Sequence, residues 1–203
     1  ITGGRFLTLG SAEDVKVSGD TAFIANGAAG IAIVDVFDPS LWADLPSVTT
    51  PGSVSSVDVA GNRLYAACGA SGLRIFDITD AGAVYSLGSR ATASAAGRVR
   101  VAGNLAFVAC AAGRLEIVNI QNPAAPTLVS AYLGGGSLRD VDVAGNFVVL
   151  ANTNGALTVL NVSNPAAPVA QSTNTIIGGA FGVRVVGNHA YVRNGAGGLV
   201  VVP

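Results

Sequence analysis

The residues able to do chemistry stand in two short columns. Asp14, Ser56, Arg98, Asp140 and Gly182 are spaced 42 positions apart, and two residues further on so are Lys16, Asp58, Arg100, Asp142 and Arg184. These ten positions hold eight of the 23 charged residues, four of each sign. Charges taken out of water need partners, so one outcome of such interleaving is a self-paired network. The other is a cluster of spare donors that holds a small anion or polar ligand. Catalysis finds less support. His189 is the single histidine, and no Ser-His-Asp set or Cys/His metal cluster can be assembled around it. Glycosidase chemistry needs paired carboxylates, one with a raised pKa, whereas these aspartates stand among Arg and Lys, which is expected to lower theirs. The expectation is a protein that is not an enzyme, with no cofactor and no metal.

The elements that position these columns come from a repeat. Val15, Val57, Val99, Val141 and Val183 form one column. Gly19, Gly61, Gly103, Gly145 and Gly187 form a second, each followed by Asp or Asn, and Ile31, Leu73, Leu115, Leu157 and Leu199 form a third. Self-similarity at such a period signals a repeat architecture. Within one unit, "VSSVDVAGNRLYAACG" reads as two alternating runs joined at Gly61-Asn62, a hairpin in which Gly supplies positive φ at the first turn position and Asn tolerates it at the second. A third, continuously apolar run follows ("IAIVDV", "LRIFDI", "LEIVNI", "LTVLNV", "LVVVP"), as expected of a strand buried on both faces. An Asx-Pro turn and a looser fourth strand such as "TLVSAYL" end the unit. No helix is needed.

Four antiparallel strands per unit, repeated five times, predict an all-β, five-bladed β-propeller in a single domain over residues 1–203. The blades run approximately 12–53, 54–95, 96–137, 138–180, and 181–203 together with 1–11. Five full units would need 210 residues, seven more than the 203 present, which is the length of the third-to-fourth-strand linker. Residues 1–11 align with the fourth-strand column and are expected to close the last blade, either in their own chain or, by strand donation, in a neighbour's. The first strand of a blade lies innermost, so Asp14, Lys16, Asp58, Arg98, Arg100, Asp140, Asp142 and Arg184 should ring the central channel. Around the second column the signs alternate from Lys16 to Arg184, as pairing between neighbouring blades requires. An odd ring fails once, where Arg184 is expected to meet Lys16, with Asp14 compensating. Cys68 and Cys110 share a column on adjacent blades and so are too far apart for a disulfide.

The third-strand motif with its Asx-Pro tail, as in "IAIVDVFDP" and "LTVLNVSNPAAP", resembles the LVIVD repeat family of β-propellers, and the preceding "V-x-V-x-G-[DN]" and "Y-x-A" elements fit it. Blade two departs in lacking the Pro ("DITDAGAV"), and blade one is reworded ("FDPSLWADLP"). The resemblance implies a bacterial or archaeal protein, often surface-associated or secreted, and no particular reaction.

Composition narrows the function classes. Half the residues are hydrophobic and only 11% are charged, against about 25% in ordinary soluble domains. Mean hydropathy is +0.55. With a net charge of −1 there is no electrostatic footprint for nucleic acid. No apolar run approaches the ~18–20 residues of a transmembrane helix, and the first residues do not read as a signal peptide. Met is absent even at position 1, so a processed product or a piece of a longer gene is expected. The reading that follows is a non-enzymatic, extracellular or cell-surface protein, structural or filament-forming, whose charge-poor exterior packs against copies of itself or another protein. Its alternative is a ligand-binding module using the blade-end loops or the channel.

Overall fold

The computed structural model describes residues 7–38, 41–176 and 178–203. The first blade is β1 (Asp14–Ser18), β2 (Thr21–Ala25), β3 (Ile31–Asp35) and β4 (Ala43–Val48), and the second is β5 (Ser56–Ala60), β6 (Arg63–Ala67), β7 (Leu73–Asp77) and β8 (Tyr85–Arg90). The third is β9 (Ala96–Ala102), β10 (Leu105–Cys110), β11 (Arg114–Asn119) and β12 (Thr127–Leu133). The fourth is β13 (Leu138–Ala144), β14 (Phe147–Asn152), β15 (Ala156–Asn161) and β16 (Val169–Thr175), and the fifth is β17 (Gly182–Val186), β18 (His189–Asn194) and β19 (Gly198–Val202). Each sheet is an antiparallel meander in chain order, and together they form the five-bladed propeller that the repeat predicts. Among the described residues helix is confined to two three-residue 3-10 turns, Ala111–Gly113 and Gly195–Gly197.

Local chemistry explains the meander. At the inner hairpin, Gly61 has φ of 56° and its four counterparts lie between 55° and 58°. The Asp or Asn that follows does not share this positive φ, since Ala112 is the sole non-glycine with one among the described residues. One left-handed residue in the first position matches a type II′ turn rather than the type I′ in which Asn would also be left-handed. That corrects the role expected for Asn62 and its equivalents. At the end of the third strand of blades one to four an Asx side chain turns the chain: Asp35, Asp77, Asn119 and Asn161 accept the N–H two residues on, at 2.8–2.9 Å.

Blades stack through one interface used four times. The face carrying Phe23, Ile31 and Ile33 in blade one meets Val57, Leu64 and Phe76 of blade two. Tyr65, Leu73 and Ile75 meet Val99, Ala106 and Val118 in the same way, and Phe107, Leu115 and Ile117 meet Val141, Val148 and Leu160. Val149 and Leu157 then meet Val183 and Val192 of blade five. None of these clusters joins blade five to blade one.

The strand expected to complete blade five falls largely on residues 1–6, outside the described residues, and Leu7–Ser11 contain no strand. Those five residues do take the path of an interblade linker. The Thr8 hydroxyl donates to the Gly10 carbonyl at 3.0 Å, as Thr50 does to Gly52 at 3.1 Å and Thr92 to Ser94 at 2.8 Å.

Candidate functional site: the central channel

A propeller's inner strand leaves its axial edge without a strand partner, so its N–H groups need acceptors from elsewhere. The neighbouring blade supplies them. Asp14 Oδ2 accepts the Val57 N–H at 3.3 Å, Asp58 Oδ2 that of Val101 at 2.7 Å, Asp140 Oδ2 that of Val183 at 3.0 Å, and Asp142 Oδ2 that of Val185 at 2.7 Å. The Ser56 hydroxyl accepts the Val99 N–H at 3.3 Å and donates to Asp14 at 2.8 Å. Every one of these bonds spans 43 residues or, for the serine donation, 42: one blade to the next.

The basic residues thread between these aspartates. Lys16 Nζ lies 3.1 Å from Asp58, and Arg184 Nη1 donates to Asp142 at 3.2 Å. Arg100 is a hub whose nitrogens lie 3.7 Å from Asp142, 3.8 Å from Asp14 and 3.9 Å from Asp140. These are ion-pair separations, too long for hydrogen bonds. Three pairs therefore follow the sign alternation, but the rest departs from expectation. Asp14 compensates Arg100 across the channel instead of sitting on Lys16. Arg98 makes no ion pair among the described residues, since its Nη1 donates to the Ser55 carbonyl at 2.7 Å and the Gly97 carbonyl at 3.0 Å. Arg184 and Lys16 border one cavity of about 210 Å³ with Asp58, Arg100 and Asp142. Arg184 is also the open member, its side chain 61% exposed against 6% for Asp142.

The electrostatics correct one expectation. Burial pushes the Asp140 carboxyl above its ordinary value, outweighing the Val183 N–H and the Arg100 guanidinium, which pull the other way. A carboxyl whose pKa is higher folded than unfolded binds protons more tightly in the native state, so its contribution to stability rises as pH falls through the folded pKa. The stability difference between the parent and Asp140→Asn should therefore shift in favour of the parent as pH is lowered from 7 towards 4. Paired thermal melts across that range check the sign.

Several residues outside the two columns were not anticipated. Glu116 is a buried carboxylate inside a strand that reads as apolar, held by Arg114 at 3.0 Å, Arg90 at 4.0 Å and the Ala93 N–H at 2.9 Å. Its only sequence signal is the acid in "LEIVNI". At the other mouth of the channel, Arg139 and Arg193 border a cavity of about 320 Å³ with Glu13 and Arg98. His189 is exposed, on the rim of a cleft between blades four and five. Cys68 and Cys110 are buried free thiols, and burial raises their pKa to about 11 and about 12, which keeps them protonated and unreactive. Among the described residues no group of three His, Cys, Asp or Glu could hold a metal ion, and no helix is long and apolar enough to cross a membrane.

The inner-strand valine, the hairpin glycine and the apolar third strand recur together in each blade, and the LVIVD repeat model matches residues 9–50, 51–89, 93–134, 135–175 and 177–202. The chain belongs to the LVIVD repeat family. Solved structures share its fold at low identity. One is the computationally designed Ika8 protein, 10% identical with a TM-score of 0.69, where the alignment covers 99% of this LVIVD chain and 72% of that one. A functionally unknown protein from Desulfotomaculum acetoxidans DSM 771 is 13% identical with a TM-score of 0.73, covering 98% and 71%. The computationally designed Ika4 protein is 11% identical with a TM-score of 0.61, covering 75% and 92%. No curated protein matches the LVIVD chain.

Proposed function

We propose that this LVIVD propeller is a non-enzymatic structural protein of the cell surface or extracellular space that assembles with copies of itself through its charge-poor exterior. The observation that carries the reading is where the charge goes. Eight of 23 charged residues stand in the channel columns, seven of them tied to carboxylates or to a neighbouring blade's backbone as described above and the eighth, Arg98, to backbone carbonyls. The exterior instead presents Leu9, Phe37, Leu41, Tyr85 and Leu133. A free monomer gains solubility from surface charge, and an assembling one has less need of it.

A second reading, ligand binding in the channel, is favoured by one feature: Lys16, Arg100 and Arg184 face a common cavity with only two carboxylates beside them. It is weaker because both carboxylates already engage those bases. Multi-angle light scattering over a concentration series separates the two. The assembly reading expects a mass that climbs above 20 kDa with concentration; a constant 20 kDa species would contradict it.

A further inference from the structure

The interblade interface has two different halves, and each is left uncovered once, at opposite ends of the chain. On blade one, Val15 is 53% exposed, whereas Val57, Val99 and Val141 in the same column are 0% exposed. Val17 is exposed beside it at 62%, and Ile24 and Trp42 border the same open hollow. On blade five the opposite half is bare. Leu199 is 64% exposed where Ile31, Leu73, Leu115 and Leu157 are at most 1% exposed. Val201 and Tyr191 are exposed too, in the columns of Ile33 and Phe23.

These are the side chains that make the dry contact between every other pair of neighbours, so the two bare surfaces match each other by the repeat itself. Neither is a self-complementary patch: valines of the inner strand on one meet aromatic and aliphatic residues of the second and third strands on the other. A surface that fits a different surface of the same molecule builds head-to-tail contacts.

We infer that blade five of one copy docks onto blade one of a second copy, reproducing between chains the interface that joins blades within a chain. The inference rests on the assembly reading above and names its surface and its partner. Leu199 and Tyr191 of one copy then lie over Val15 and Val17 of the next, and repetition extends the array beyond two copies because each added chain brings a new bare face.

The test uses two single variants of the full chain. Val15→Glu spoils one half and Leu199→Glu the other, at positions exposed in a single copy, so both should keep the parent's circular dichroism and melting behaviour. Each variant alone should lose the parent's association, with a dissociation constant raised about thirtyfold or more, as for truncation of an interface hot spot. An equimolar mixture should recover association but stop at one-to-one pairs, because one good half survives on each partner. Variants that associate as the parent does, or a mixture that stays single, would overturn the interface while leaving assembly through another surface standing. A parent that remains a single copy at every concentration would remove both.

Discussion

Replacing Asp142 by alanine is expected to cost about 3–5 kcal/mol of folding stability, the penalty for removing one member of a buried ionic set. Asp142 is the most buried acid of the two channel columns: it accepts the Val185 N–H at 2.7 Å, binds Arg184 at 3.2 Å and stands 3.7 Å from Arg100. Its loss orphans a backbone donor and leaves Arg100 with the more distant Asp14 and Asp140. Asp142→Asn keeps an acceptor for Val185 but not the charge, so it should fall between parent and alanine. Denaturant unfolding gives the ranking. An alanine variant within about 0.5 kcal/mol of the parent would behave as a surface change and would show that the channel network holds nothing together.

The second large effect separates two leucines of one column. Leu115 is fully buried between blades three and four, so Leu115→Ala should cost about 2–5 kcal/mol through lost burial and the cavity left behind. Leu199 occupies the same place on blade five but is bare, so Leu199→Ala should change stability by no more than about 0.5 kcal/mol at dilutions where the chain is single. Equal costs at the two sites would mean that blade five is covered in the isolated chain.

Much of this was legible in the residues. The columns of Val15, Gly19 and Ile31 give five blades, the inner hairpin and the buried third strand, because each has a local cause: alternation, a left-handed glycine, and a run too apolar for a solvated face. The same columns place Asp14 through Arg184 along the channel. What they could not give is hydrogen-bond geometry. Sign alternation suggests acid-to-base pairing, yet Asp58, Asp140 and Asp142 spend their second oxygen on the next blade's N–H, a demand created by the free edge of the inner strand and invisible as charge. The raised pKa of Asp140 is likewise hidden from the charge pattern, since burial outweighs its basic neighbours. Asn62 and its counterparts illustrate a smaller limit: a Gly-Asn pair fits both primed turns, and the pattern alone does not choose between them. Counting repeats likewise fixes the number of blades but not the angle between them, and that angle decides whether blade five meets blade one.

Electron microscopy of the protein in its associated form tests the central claim most directly, that the bare faces of blades one and five are halves of an interface between copies. The account predicts particles of two or more propellers joined end to end, with the Leu199 face of one against the Val15 face of the next. Single particles in which blade five packs on blade one of its own chain, burying Val15 and Leu199 together, would contradict it.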